Sequence, residues 1–156
     1  MVSGAEVRDV LRRHPVGVSV VSVDLEGERL GLTVASLVSL ALEPPLVGVS
    51  LARGAALHEL LRGSGGFAVS LLGAGQAALA QHFARGVPPI ALWTGIAVRE
   101  GRRGPLLTGA VGWLECAVAG EHPVGDHTLF VGAVERAEAG EEGPPLLRLG
   151  GAYRGA

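Results

Sequence analysis

Three hydroxyl residues, Thr33, Ser36 and Ser39, stand three apart in the stretch GLTVASLVSLALEPPLVGVSL (residues 31–51). Every other side chain before Glu43 in that stretch is apolar. A hydroxyl taken out of water costs free energy unless it finds a partner. Spacing of three fits neither the alternation of a strand nor the stripe of a helix. It suits an irregular segment that turns hydroxyls and backbone N–H groups toward one polar ligand, such as a flat polar ring system or a phosphate. The plainer alternative is a half-buried strand whose hydroxyls bond neighbouring backbone. A second grouping is Gly125-Asp126-His127, which holds one of only three aspartates in the chain. Gly-Asp is ordinary turn chemistry, so the histidine stands at a strand start, where it can bond or protonate a ligand near neutral pH. An exposed turn with an idle histidine is the competing reading.

Other patterns carry less. Gly73-Ala74-Gly75-Gln76-Ala77-Ala78 follows an apolar run and matches a dinucleotide-binding loop, but that motif requires a parallel βαβ unit. The next residues run into Val87-Pro88-Pro89, so a glycine turn that starts a helix is expected instead. His14, His58, His82 and His122 form no metal-binding spacing, and no nucleophile elbow is present. All thirteen basic residues are Arg, with no Lys and no Asn. That bias weakens any single Arg as a site marker, and the missing lysine excludes Schiff-base chemistry on a side-chain amine. A net charge of -2 gives no support for a nucleic-acid partner. Cys116 is the one cysteine, so no internal disulfide can form. Apolar runs are all interrupted before membrane-spanning length. The N-terminal residues carry acids and lack a signal-peptide core, which makes the cytoplasm the expected location.

The elements that must position these residues are mostly strands. At 156 residues, one domain covering 1–156 is expected. Residues 5–13 place Val7, Val10 and Leu11 on one helical face that ends before Pro15. Residues 17–25 alternate as a strand, and Glu26-Gly27-Glu28-Arg29 turns it. Residues 32–42 and 45–52 read as two strands around Glu43-Pro44-Pro45. Helices are expected over 55–62 and 76–85, a strand over 65–72, and irregular chain over 87–104. Residues 110–124 and 127–139 form a strand pair around the Gly-Asp-His turn, and the tail holds one short strand. Trp93 and Trp113 are expected in the core or an interface. The sum is mainly β, a closed or partly closed barrel with short peripheral helices.

Taken in order, GLTVASLVSLALEPPLV, GGFAVSLL, LAQHFA, GPLLTGAVGWLECAV, GDHTLFVGAVE and PLLRLGGAY resemble the flavin reductase-like family. Its members are small reductase components of two-component flavin monooxygenases with an FMN-binding split barrel. The resemblance spans nearly the whole chain. It implies an NAD(P)H-dependent oxidoreductase acting on FMN, or alternatively FAD, with NADH or NADPH as reductant. It implies a homodimer and a partner monooxygenase. By resemblance, Thr33, Val34, Ala35, Ser36, Ser39, Leu40, Ser50, Leu51, Ala52, Arg53, His82 and Phe83 hold the flavin. His127, Tyr153 and Arg154 face the nicotinamide, with His127 as the catalytic candidate. Three departures stand out: Ala35 replaces a frequent amide, His82 a frequent Arg, and Gly54-Ala55-Ala56 a frequent hydroxyl segment. Arg53 or Arg85 would then supply charge to a phosphate, and flavin would be held loosely. A flavin- or haem-binding carrier or sensor without turnover is the alternative, and a pyridoxamine-phosphate-oxidase-like enzyme matches less well.

Overall fold

The computed structural model describes residues 1–155. The helix α1 (Gly4–Leu11) starts at a capping box, with the Glu6 N–H donating to Ser3 Oγ and the Ser3 N–H to Glu6 Oε2. After β1 (Val16–Gly17) and β2 (Ser19–Leu25), the chain reverses through Glu26 and Gly27, both at positive φ, into β3 (Glu28–Val34). Next come β4 (Val38–Leu42), β5 (Pro45–Ala52) and α2 (Ala56–Ser64). Gly65 ends α2 in the left-handed region at φ 71° and delivers the chain to β6 (Gly66–Leu71). The helices α3 (Ala77–Ala84) and α4 (Pro89–Leu92) precede β7 (Val98–Arg99) and β8 (Leu106–Leu107). The long hairpin β9 (Gly112–Val124) and β10 (His127–Ala139) is followed by β11 (Leu146–Leu149) and β12 (Ala152–Gly155).

Seven strands form one sheet in the order β3-β2-β6-β9-β10-β5-β4. Its two edges are β3 and β4, which the chain joins directly through residues 35–37 but which do not pair. The barrel is therefore split, and the split falls on the segment that carries Ser36. Inside, Val20, Val21, Val23, Val49, Leu51, Leu61, Phe67, Phe83 and Phe130 form one hydrophobic core. Alternation explains it: β2 turns successive valines to the core and to the covering helices, so almost the whole strand is buried. Close approach leaves no room at Gly132, where a Cβ would lie 2.7 Å from Phe67 and 2.8 Å from Cys116.

Three expectations change. The strand read over 32–42 is two strands, broken at residues 35–37 because β3 pairs with β2 while β4 pairs with β5. The irregular 87–104 region contains α4, with Pro89 at its first turn, and β7. The tail forms two strands, because Gly150 and Gly151 at positive φ make a hairpin that sequence alone reads as coil. The helix expected near the N-terminus is present as α1, and its apolar residues Val7, Val10 and Leu11 are all exposed. All strand pairings among the described residues are antiparallel, so the Gly73–Ala78 segment belongs to no βαβ unit. There the Gly73 N–H donates to Gln76 Oε1 at 2.9 Å in a turn that leads into α3. No described helix is long and apolar enough to cross a membrane.

Candidate functional site

The opening hydroxyls have different fates. Ser36 donates to the Ser50 carbonyl at 3.1 Å and accepts from the Ser50 N–H at 3.0 Å, tying the segment between the sheet edges to β5. Thr33 donates to the Ala80 carbonyl at 2.6 Å, docking α3 on β3. Both hydroxyls thus bond backbone, as the plainer alternative held, and both retain lone pairs to accept from a ligand. Ser39 and Leu40 lie exposed on the edge strand β4. Val34 is buried at the end of β3. Ala35 lines two cavities, of about 240 and 180 Å³, where its small side chain leaves space.

The second cluster lies at the same end of β5. Ala52 pairs with His127 and Ser50 with Leu129, so the end of β5 runs beside the Gly-Asp-His turn. Arg53 clasps that turn. Its N–H donates to the Asp126 carbonyl at 3.0 Å, and its guanidinium donates to the carbonyls of His127, at 3.0 Å, and Gly125. His127 Nδ1 lies 2.7 Å from Asp126 Oδ1, which fixes the ring and leaves Nε2 outward. The same hydrogen bond holds the Asp126 carboxyl below the usual carboxylate range. Behind the turn, buried His58 places Nε2 2.8 Å from Thr128 Oγ1 and so anchors the start of β10 to α2.

Several residues assigned by resemblance do other work in this fold. Leu51 and Phe83 are 1% and 2% exposed and belong to the core, and Phe83 also lines a cavity of about 330 Å³ beside the start of α2. Phe83 packs on Trp93, with ring centroids 5.0 Å apart. His82 Nε2 bonds the Leu92 carbonyl at 2.6 Å and thereby holds α4. The exposed Arg53 guanidinium is engaged by two carbonyls, those of Gly125 and His127. Tyr153 lines the 180 Å³ cavity with Thr33, Val34, Ala35, Ala84 and Arg148. Arg154 is exposed on β12, opposite Leu147. Trp93 and Trp113 each donate an indole N–H to a carbonyl, of Arg29 and Leu107, as structural residues do.

Sequence reading missed two parts of the site. Arg148 stacks over Tyr153 at 5.4 Å, and in a chain whose every base is Arg nothing singled it out. The other is the start of α2, where Ala55 gives no side-chain cap. Residues 55–57 line a cavity of about 330 Å³ with Leu30, Leu32, Gly86 and Pro88. Uncapped N–H groups at a helix start are suited to a phosphate. Both cavities have Ala84 in their lining, one next to polar Thr33 and Tyr153 and the other apolar and bounded by the start of α2. Thr33 and Ala35 in the first and residues 55–57 in the second are the groups that could meet a cofactor's ring and its phosphate.

A family model described as flavin reductase like domain matches residues 11–156. The chain is 44% identical to the reductase component of 4-hydroxyphenylacetate 3-monooxygenase of Thermus thermophilus, covering 94% of this chain and 93% of that one. It is 36% identical to an NADH:FMN oxidoreductase of Rhodococcus erythropolis, over 97% of this chain and 81% of that one. Among solved structures, the NADH:FAD oxidoreductase of Streptomyces globisporus C-1027 superposes with a TM-score of 0.92 at 36% identity, covering 99% of this chain and 95% of that one.

Proposed function

Because this chain belongs to the flavin reductase like family, we propose that it is an NAD(P)H-dependent flavin reductase that supplies reduced flavin to a partner monooxygenase. The relatives' own names as NADH:FMN oxidoreductase and monooxygenase reductase component support the reading. FMN is the proposed flavin, with FAD as the alternative. A flavin held beside Thr33 and residues 35–36 would supply hydride-acceptor chemistry toward a nicotinamide nucleotide.

The chain's own part is to bind, orient and exclude water. The observation that carries the reading is the pairing of Ala52 with His127 at the end of β5, two residues from Ser50, to which Ser36 bonds. Ser36 fixes its segment to β5, and the backbone there offers donors to a ring edge that gains negative charge on reduction. Arg53 holds the turn, Asp126 fixes the His127 ring, and His127 Nε2 positions the nicotinamide or supplies the proton that full reduction of the flavin consumes. Tyr153 closes the opposite wall of the cavity. With Ala35 and Ala55 at two contact positions, flavin binding is loose, as a reductase that releases its product requires.

We also propose a homodimer. On the edge strand β4, Val38, Leu40 and Leu42 are 46%, 45% and 81% exposed, an apolar row beside the loop that carries Ser36. The deciding experiment is NADH and NADPH oxidation by the purified protein with and without added FMN. Consumption that scales with FMN is expected. A flavin-coloured protein inert toward both nucleotides would instead make it a carrier or sensor module.

A further inference from the structure

Resting on the reductase reading, we infer that a cationic cleft between α1 and the β11–β12 hairpin is a subsite for a phosphate group of the bound dinucleotide. Arg8, Arg12, His14 and Arg148 line one open cavity of about 370 Å³ together with Leu11 and Gly150, and no carboxylate lines it. Among the described residues, Arg29, Arg62, Arg99, Arg103 and Arg136 each pair with an acid. Arg8, Arg12 and Arg148 form no such pair. Unpaired charges of one sign in a concavity focus the field on an incoming anion. Guanidinium groups suit phosphate in particular, since their fork of donors matches its oxygens.

The cleft is built by two elements. Arg8 and Arg12 are four residues apart on one face of α1. The Gly150 N–H donates to the Arg12 carbonyl at 2.9 Å and pins the helix end to the hairpin. Gly151 sits at φ 79°, and a Cβ there would come within 3.9 Å of the Arg12 guanidinium carbon. Basic residues at a helix C-terminus also complement its dipole, which accounts for Arg12. That does not account for Arg148, which reaches the same cavity from a strand.

Arg148 links this cleft to the proposed reaction site. It also lines a cavity of about 600 Å³ with Gln81, Gly151 and Tyr153, and the 180 Å³ cavity with Thr33, Ala35 and Tyr153. Three neighbouring cavities, from Thr33 and Ala35 past Tyr153 to the arginines, thus share Arg148 in their lining. A dinucleotide has matching chemistry, a ring at one end and phosphates along its length. The phosphate could belong to the pyrophosphate or 2′-phosphate of the nicotinamide nucleotide, or to the adenylate half of FAD.

The test is the double variant Arg8→Gln/Arg12→Gln, both exposed and without a described side-chain partner, assayed with NADH and NADPH, and with FMN and FAD. A rise of about tenfold in one or more KM values is expected, with a much smaller change in kcat and with a flatter salt dependence than the wild type. A rise for NADPH alone places the 2′-phosphate in the cleft. An equal rise for both nicotinamide nucleotides places the pyrophosphate there, and a rise for FAD alone places its adenylate. Unchanged KM values with unchanged salt dependence would overturn the subsite. If the wild type shows no turnover, the reductase reading fails, and calorimetry with ADP-ribose still decides. Binding by the wild type that the variant loses upholds the cleft, and no binding by the wild type rejects it.

Discussion

The Gly-Asp-His turn is where single side chains matter most. Arg53 donates three hydrogen bonds to its carbonyls, and Asp126 fixes the imidazole that faces outward. On the proposed mechanism, His127→Ala lowers kcat/KM for NADH about tenfold or more while leaving the flavin dissociation constant within about twofold, because orientation of the nicotinamide is lost and the flavin contacts remain. Steady-state rates beside a flavin titration separate the two. Arg53→Ala releases the turn without touching the imidazole, so it reproduces much of the His127→Ala rate loss. Unaltered turnover in Arg53→Ala would remove the clasp from the mechanism. Neither effect requires the guanidinium to meet a phosphate.

At the level of elements, the split between β3 and β4 is held by few bonds. Ser36 alone ties the connecting segment to β5 through two hydrogen bonds to Ser50. Ser36→Ala leaves the Ser50 N–H and carbonyl partly buried without those partners, at a cost of about 1–3 kcal/mol. Urea unfolding measures it, and flavin affinity falls with it because the same segment shapes the cavity. The β9–β10 hairpin is constrained by packing. Its register shifts between Val131 and Gly132, and a side chain at 132 would collide with Phe67 and Cys116. Gly132→Ala therefore destabilises by about 1–3 kcal/mol through overpacking, read as a lower urea midpoint with an unchanged m value.

For the whole molecule, surface acids and the apolar edge set the response to conditions. Hydrogen bonds from Ser3, His127, Arg103 and Arg99 hold the carboxyls of Glu6, Asp126, Glu135 and Glu138 below their ordinary values. Groups depressed on folding contribute stability that is complete above the unfolded carboxylate range and is lost as pH falls through the lower folded values. Thermal midpoints are accordingly expected to hold from neutral pH down to the carboxylate range and to drop below it. Salt weakens this contribution, since all four groups are at the surface. Leu42→Glu places a charge on the apolar β4 edge, and on the proposed dimer sedimentation is expected to show a dimer for the wild type and monomers for the variant.

Strand periodicity, the Gly-Asp turn and the ordered motifs were enough to read the mainly β class, most element positions and the family, because local alternation and turn chemistry are written in neighbouring residues. They placed His127 at a strand start beside a turn, where it stands, and spacing gave Ser36 an irregular setting that the strand reading of 32–42 did not. Sequence alone did not reveal that Ser36 bonds β5 or that Arg53 clasps a turn over seventy residues away. It also did not reveal that His82 holds α4 while Phe83 is in the core. Nor did it reveal that Arg8 and Arg148 face one cleft. Those facts depend on which strands pair and on which face each helix lies, and pairing across long separations leaves no periodic trace in the chain.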